Sequence, residues 1–499
     1  MQLRWCLLVL VPASLAAQTG GRQFHTAAGI TSQDMARRIG RVAADSMMGR
    51  GNPSPGLERT AAYVAAEFRR LGLRPGGEQG TYFQRFTLTR WTIDTAQSAV
   101  ILNSGRGRVR VAIGSEARYL DGRTPDAALS GSVLLLSRPA APRDLLKDRV
   151  VLLVLDYTMP LPSALGPAIH SLAAGGPRAV LLLSNRDSTT FADRLRTAQL
   201  PRWKLESARA DSIAPIIEVH ERTLKPLLAT AGIDPERIRQ TRPLVPELVA
   251  DLKAEVRLNR KELSRAELPN VIGILPGADP VLRREHVTYS AHIDHIGLSP
   301  GQPDSINNGA DDNASGVAGL LELAEAFSQP GARPKRSLLF LAPSAEEPGL
   351  LGSAYFTMHP TIPLTDIVAD INMDLIGRNW PDSVIAVGIE QSDLGSILDE
   401  VTKAHPELRM TPIADRWPEE RIFYRSDHYN FARRGVPILF FTSGTHADYH
   451  RPTDEPEYIN AEKASRLVRL LFYLGREVAN RPERPRWKAE SYRQIVERR

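Results

Sequence analysis

Five short motifs in the second half of the chain end in residues that bind metals or move protons. They are AHIDH (291–295), NNGADDNASG (307–316), SAEE (344–347), NMD (372–374) and ADYHRPTDE (447–455). Imidazoles and carboxylates are ligands for divalent metal ions, and a carboxylate that binds no metal can act as a general base. Each motif alone is weak, because H-x-D is ordinarily incidental, paired glutamates are usually solvated, and an Asp-rich glycine loop is commonly a turn. Their order along the chain and their placement at the ends of predicted strands are harder to explain by chance.

Apolar, β-rich runs precede three of the motifs. EHVTYSAH leads into the first, RSLLFLAPS into SAEE, and DIVADINMD contains the fourth. In open α/β sheets, sites form outside the carboxyl ends of the strands. The sequence therefore predicts one rim that carries His292, Glu346, Glu347 and Asp374, with Asp312 at the mouth of a helix and His450 on a late loop.

Carboxylates that converge in this way would repel one another and raise each other's pKa unless a cation lay between them. The sequence thus predicts a metal cluster whose ligands are His292, Asp312, Glu347, Asp374 and His450. Zinc is favoured over magnesium because histidine is present, and over iron because no redox partner is evident.

The elements that must hold these residues alternate between strand and helix from about residue 249 onward, which predicts a three-layer α/β/α domain with a mostly parallel mixed sheet. We expect residues 18–115 to supply its N-terminal part and residues 249–480 its main part. Residues 116–248 are predicted to form an inserted β-rich module with its own core. Its isolated His170 and His220 lack the spacing of metal ligands.

The two ends of the chain predict a targeting signal and a basic tail. Arg4 precedes an apolar run that ends in small residues, so residues 1–17 are predicted to be a signal peptide, and we expect a secreted or periplasmic protein with no stable membrane insertion. The formal charge of +6 is concentrated in residues 481–499, which carry seven basic and three acidic residues and are expected to be solvated. The nearly neutral body argues against nucleic acid as a partner.

The motif order resembles that of the two-zinc exopeptidases, a family that includes bacterial secreted aminopeptidases, aminopeptidase Y and glutamate carboxypeptidase. The resemblance covers residues 268–475. It implies two Zn²⁺ ions, with His292 and Glu347 as terminal ligands on opposite metals and Asp312 bridging them. Asp374 and His450 would complete the two shells, and Glu346 would be the general base.

The same resemblance implies roles for neighbouring residues. Asp294 would accept a hydrogen bond from His292, and Tyr449 would polarise the scissile carbonyl, so both join Glu346 as predicted catalytic residues. Arg425 matches a substrate-contacting position, with a structural ion pair as the alternative. His295 and His428 are expected to support the site without binding metal. The inserted module resembles a protease-associated domain, which in such enzymes forms a lid.

The predicted function is that of a zinc metallo-exopeptidase, foremost an aminopeptidase that acts on peptide or protein N-termini, because an acidic site suits a free α-amino group. Arg425 leaves a carboxypeptidase or dipeptidase open, since a cation recognises a terminal carboxylate. A glutaminyl cyclase and a non-catalytic binding protein are further alternatives. The inserted module argues against a glutaminyl cyclase. The presence of Glu346 together with all five candidate ligands argues against a non-catalytic binding protein. Side-chain specificity and oligomeric state do not follow from the sequence.

Overall fold

The computed structural model describes residues 27–497 apart from 125–126, 160, 163–164, 199, 207–212, 241–245 and 302. The predicted signal peptide, residues 1–17, lies outside the described residues. Across the described ranges, no helix has both the length and the apolar character needed to cross a membrane.

The strands, numbered in chain order, are β1 (Arg74–Pro75), β2 (Phe83–Ile93), β3 (Ala99–Ser104), β4 (Gly107–Ala112), β5 (Ala117–Asp121), β6 (Leu129–Leu136), β7 (Arg149–Val154), β8 (Ala179–Ser184), β9 (Arg202–Leu205), β10 (Ile216–His220), β11 (Glu247–Arg257), β12 (Arg260–Leu275), β13 (His286–Ser290), β14 (Ser337–Ala342), β15 (Ile367–Met373), β16 (Ser383–Val387), β17 (Thr411–Ile413) and β18 (Ile438–Thr442). The α-helices are α1 (Ser32–Val42), α2 (Pro55–Arg70), α3 (Arg143–Leu146), α4 (Leu165–Ala174), α5 (Ser188–Ala198), α6 (Glu221–Thr230), α7 (Pro235–Gln240), α8 (Gly316–Phe327), α9 (Leu351–Met358), α10 (Leu394–Ala404), α11 (His428–Ala432), α12 (Ala461–Asn480) and α13 (Ala489–Tyr492).

The larger of two sheets has the strand order β17-β16-β18-β15-β13-β14-β12-β2-β9, with β1 paired to β12. Its centre is parallel, because β18, β15, β13 and β14 run in one direction. The strands β12, β2 and β9 extend it in antiparallel fashion. Nearly every residue of the central strands is buried, as expected for parallel strands covered on both faces. The predicted mixed α/β class is confirmed.

Helices cover both faces of this sheet. On one face α1, α2, α8, α10 and α12 contribute buried residues to the main core, among them Val64, Leu320 and Leu471. On the other face Phe356 of α9 and Phe431 of α11 pack over β12, β14 and β18. The domain therefore has the three predicted layers.

The second sheet has the strand order β4-β3-β11-β6-β7-β8-β10-β5, in which β6, β7, β8 and β10 are parallel. Helices α6 and α7 pack on one of its faces and helices α3 and α4 on the other. The chain leaves the larger sheet after β2, rejoins it for the short strand β9 and returns to it finally at β12, which is a hydrogen-bonded neighbour of β2. Most of the chain between the antiparallel neighbours β2 and β12 thus forms the second sheet.

Sheet membership differs from the predicted boundaries at two places. The strands β3 and β4 precede residue 116 but belong to the second sheet, where buried β3 pairs with both β4 and β11. The strand β9 falls within 116–248 yet pairs with β2 of the larger sheet. An exposed sheet edge pairs with any extended segment that reaches it. The pattern of apolar residues within a strand therefore does not show which of the two sheets that strand joins.

The expectation of a solvated C-terminal tail is wrong for the part that the structure describes. The side chains of Trp487 and Ile495 pack against the core cluster that contains Phe431 and Ile438. The indole Nε1 of Trp487 donates a hydrogen bond to the carbonyl oxygen of Gly435 at 2.9 Å. Charge dominated the sequence-based expectation, whereas two apolar side chains determine where the tail lies, and its arginines remain on the outside.

Replacing Trp487 with alanine should lower the free energy of unfolding by about 2 kcal/mol, because it removes a half-buried indole and its hydrogen bond. Urea unfolding followed by circular dichroism measures the change. Arg486→Ala is the matched control, since this exposed neighbour should change stability by less than about 0.5 kcal/mol. Equal effects of the two substitutions would mean that the tail contributes nothing by packing.

Candidate metal centre

The predicted ligands meet at one edge of the larger sheet because their strands are neighbours. The strand β13 lies between β14 and β15 and is parallel to both, so the three carboxyl ends point the same way. His292 follows β13, Glu346 and Glu347 follow β14, and Asp374 follows β15. The loop after β18 returns with His450.

Asp312 lies at the centre of this group. Its Oδ1 is 3.5 Å from Nε2 of His292, and its Oδ2 is 3.1 Å from Nε2 of His450. The same His292 nitrogen is 3.4 Å from Oδ1 of Asp374. The same His450 nitrogen is 3.1 Å from Oε2 of Glu347. One carboxylate therefore faces two separate pairs, each made of one imidazole and one further carboxylate.

His295 adds a third imidazole to one of the two pairs. Its Nδ1 lies 2.8 Å from Oε1 of Glu347 and 3.7 Å from Oδ2 of Asp312. A supporting role was predicted for His295, and the structure places it in direct contact with two carboxylates of the centre. The sequence feature that could have indicated this contact is the position of His295 three residues after His292. His428, by contrast, donates from Nε2 to the carbonyl oxygen of Phe423 at 2.9 Å and stacks on Phe440.

The atoms at this centre fit a metal ion. Within the described part of the chain, Nε2 of His292, Nε2 of His450 and Oδ1 of Asp374 are buried and have no hydrogen-bond partner. Buried polar atoms without partners are costly, so a cluster of them that share one small space implies a missing ligand. Imidazole nitrogens combined with carboxylate oxygens match zinc.

The local electrostatics reflect the crowding of carboxylates. Burial lowers the pKa of His450, but the nearby carboxylates of Asp312 and Glu347 outweigh it and raise this pKa to about 10. Burial and then the charge of Glu347 raise the pKa of Asp312. A cation bound here would relieve the repulsion and would compete with protons for the imidazoles.

Asp294 organises the turn that carries both glutamates. It is fully buried, and it accepts hydrogen bonds from the amide N–H of Glu346 at 3.1 Å and of Glu347 at 3.2 Å. Nδ1 of His292 is 3.7 Å from its carboxylate and 3.2 Å from its main-chain carbonyl oxygen. The carboxylate of Asp294 thus contacts both glutamate amides, and it is the more distant of two acceptors near His292.

Glu346 faces a cavity of about 430 Å³ that also includes Asp312, Asp374 and Tyr449 in its wall. One of its carboxylate oxygens lies within 4.8 Å of ligand atoms of His292 and Asp374. Burial, with the charges of Glu347, Asp374 and Asp427, raises its pKa well above the ordinary value, against the opposing charge of His292. No hydrogen bond or ion pair holds its carboxylate among the described residues. It is therefore available to a molecule in the cavity.

Tyr449 and Arg425 also line this cavity. The phenol ring of Tyr449 stacks on His450 with 3.9 Å between ring centroids. Nη1 of Arg425 lies 3.4 Å from Oε2 of Glu420, and its side chain is 42% exposed. Arg425 therefore both borders the cavity and forms the ion pair that was the alternative to substrate contact. The rest of the wall is largely apolar and includes Trp380 and Trp417, which stack on each other.

Sequence reasoning missed the carboxylate of Asp454 and the segment around Arg50. Asp454 accepts hydrogen bonds from the amide N–H groups of Asp311 and Asp312 at 3.0 and 3.1 Å. Asn52 donates from Nδ2 to Oδ2 of Asp294 at 2.5 Å. Asp454 lies four residues after His450, and the second segment lies more than 200 residues before any motif. Only the first could have been suspected from its position.

Comparison with known proteins agrees with this geometry. Residues 270–475 match the model of Peptidase family M28. Aminopeptidase YwaD of Bacillus subtilis (strain 168) is 24% identical over 241 residues, which cover 46% of this chain and 49% of that protein. Leupeptin-inactivating enzyme 1 of Streptomyces exfoliatus is 30% identical over 181 residues, covering 36% of each. The chain thus spans about half or less of these curated relatives.

The fold extends the similarity beyond the motifs. The solved structure of an aminopeptidase from Aneurinibacillus sp. strain AM-1 matches with a TM-score of 0.51 at 18% identity, covering 92% of this chain and 96% of that one. The mixed α/β fold is thus shared over nearly the whole chain. The match of residues 270–475 to the model of Peptidase family M28 supports the predicted resemblance to the zinc exopeptidases.

Proposed function

We propose that this chain is a zinc-dependent aminopeptidase that holds two Zn²⁺ ions. The observation that carries the proposal is the position of Asp312, whose two oxygens face two different imidazole and carboxylate pairs. His292 and Asp374 would hold one ion, Glu347 and His450 the other, and Asp312 would bridge them. Bound zinc would supply Lewis-acid polarisation of the scissile carbonyl and favour ionisation of the attacking water.

Glu346 performs the proton transfers in this proposal. A carboxylate oxygen of Glu346 takes a proton from the attacking water and returns it to the nitrogen of the leaving amine. Its exposure to the cavity and its lack of a partner in the described chain support this role. Asp294 keeps the turn at Glu346 and Glu347 fixed through its two amide contacts.

Tyr449 stabilises the negative charge that develops on the carbonyl oxygen. Burial raises the pKa of its phenol, and the neighbouring carboxylates of Asp312 and Glu347 raise it further. The hydroxyl therefore stays protonated and able to donate a hydrogen bond. Its position in the cavity wall beside His450 supports the assignment.

An amino terminus suits this site better than a carboxyl terminus. The carboxylates of Glu346, Asp312 and Asp374 line the cavity and attract an ammonium group. The cation that would recognise a terminal carboxylate, Arg425, already faces Glu420. Peptide or protein N-termini are the proposed substrates, and carboxypeptidase or dipeptidase action is the alternative outcome.

We further propose that the inserted sheet is a protease-associated domain that acts as a lid. The pKa of His170 on α4 is raised first by its hydrogen bond to Asp121, and the charge of Arg421 opposes that rise. Arg421 lies between the cavity-lining residues Glu420 and Ile422 in the chain, and its effect on His170 supports a position of the inserted sheet beside the cavity. The signal-like residues 1–17 support a secreted or periplasmic location for the enzyme.

Removal of metal tests the proposal. Treatment of the purified protein with a chelator should abolish release of p-nitroaniline from aminoacyl p-nitroanilides, and added Zn²⁺ should restore it, because the proposed water activation needs the metal. Elemental analysis should find two zinc ions per chain in the active protein. N-acetylated forms of the same substrates are the matched control and should not be hydrolysed.

Other outcomes would point elsewhere. Cleavage of acetylated peptides from their carboxyl ends would support the carboxypeptidase alternative, and pyroglutamate formation with one zinc would support a glutaminyl cyclase. Zinc binding without any hydrolysis would leave only a binding protein. Activity that survives complete removal of metal would overturn the proposal itself.

A further inference from the structure

The segment Met47–Pro53 is bound tightly to the loops of the metal centre although it lies far from them in sequence. The amide N–H of His295 donates to the carbonyl oxygen of Arg50 at 3.2 Å, and that of Gly297 donates to the carbonyl oxygen of Gly49 at 3.0 Å. A Cβ on Gly49 would lie 2.5 Å from the carbonyl oxygen of Gly297, and its φ is +60°. Only glycine permits this approach without strain.

Arg50 supports the main chain next to the proposed bridging carboxylate. It is 1% exposed, and its guanidinium donates to the carbonyl oxygens of Asn308 at 2.6 Å, Gly309 at 2.9 Å and Asp312 at 3.2 Å. A fourth hydrogen bond reaches the carbonyl oxygen of Val42. The planar guanidinium thus fixes several peptide groups of this loop at once, and its positive charge lies behind the carboxylate cluster.

Asn52 contacts the carboxylate that organises the glutamate turn. Its Nδ2 lies 2.5 Å from Oδ2 of Asp294. The same Asp294 oxygen accepts the amide N–H of Glu347, while Oδ1 accepts that of Glu346. Asn52 is therefore the side-chain donor that completes the set of N–H groups around a fully buried carboxylate.

We infer that Asn52 is a positioning residue of the metal centre, acting through Asp294, and that Arg50 anchors the segment which presents it. With its carboxylate held by three donors, Asp294 cannot rotate, so the turn at Glu346 and Glu347 and the nearby ring of His292 keep one geometry. Groups that orient metal ligands in this way typically change metal affinity by about 10- to 100-fold when removed. The inference rests on the proposed function only in taking the centre to bind zinc.

The experiment compares zinc affinity in Asn52→Ala and Ser54→Ala. Metal-free protein is titrated with Zn²⁺ in competition with a chromophoric chelator, and its thermal unfolding is measured separately. Asn52→Ala should weaken zinc binding by about 10- to 100-fold, whereas the metal-free protein should keep its fold and lose only the modest stability of one hydrogen bond to a carboxylate. Asn52→Asp should weaken it at least as much, because it places a second carboxylate against Asp294.

Ser54→Ala is the matched control on the same segment. Ser54 caps α2 by accepting the amide N–H of Leu57 at 3.1 Å and does not touch Asp294. Its loss should lower the unfolding temperature and leave zinc affinity unchanged. Zinc affinity in Asn52→Ala equal to that in Ser54→Ala would overturn this inference alone. A wild-type protein that binds no zinc would overturn the proposed function and the inference with it.

Discussion

Glu346→Gln should lower the hydrolysis rate by roughly 10² to 10⁴ while the protein keeps its normal zinc content. The glutamine has the same size but cannot accept the proton of the attacking water. The carboxylate of Glu346 borders the cavity and is held by no hydrogen bond or ion pair in the described chain, so its replacement disturbs little else. Steady-state hydrolysis and elemental analysis of the same preparation measure both quantities.

The matched control is the neighbouring residue. Glu347 has both carboxylate oxygens in contact with imidazoles, Oε1 with His295 at 2.8 Å and Oε2 with His450 at 3.1 Å. Glu347→Gln removes a charge at the proposed ligand position and should lose zinc together with activity. If instead Glu346→Gln shed zinc while Glu347→Gln kept metal and activity, the two roles would have been assigned to the wrong residues.

The sequence predicted the residues that follow the central strands because the physical cause is local. A run such as SLLFLA must be buried on both faces, so the first ionisable residues after it lie at the sheet edge. Parallel neighbours bring several such ends together, and His292, Glu346 and Asp374 meet in the structure as a consequence. Burial pattern alone was sufficient for this part of the site.

The contacts that support the site could not be predicted in the same way. Asn52 and Asp294 are 242 positions apart, and their hydrogen bond depends on the close approach of Gly49 to Gly297. Nothing in the composition of either segment indicates the other. The same holds for β9 and for Trp487, whose partners are chosen by surfaces that form only when the whole chain has folded.

Arg38→Met should lower the free energy of unfolding by about 3–5 kcal/mol, because it leaves the buried carboxylate of Glu322 without its partner. Arg38 is fully buried on α1 and donates to Glu67 of α2 at 2.6 Å, and to Glu322 and Glu325 of α8, each at 2.5 Å. One guanidinium thus joins three helices on one face of the larger sheet. Urea unfolding monitored by circular dichroism measures the loss.

Arg37→Met on the same helix is the matched control for this substitution. Arg37 pairs with Asp34 at the surface, with side chains 46% and 36% exposed, so its loss should cost less than about 1 kcal/mol. Adding Glu322→Gln to Arg38→Met should recover part of the stability, because Glu322 is 4% exposed and its unpaired charge is the main cost. If the double variant were no more stable than Arg38→Met alone, lost packing of the arginine stem, and not an uncompensated charge, would explain the destabilisation.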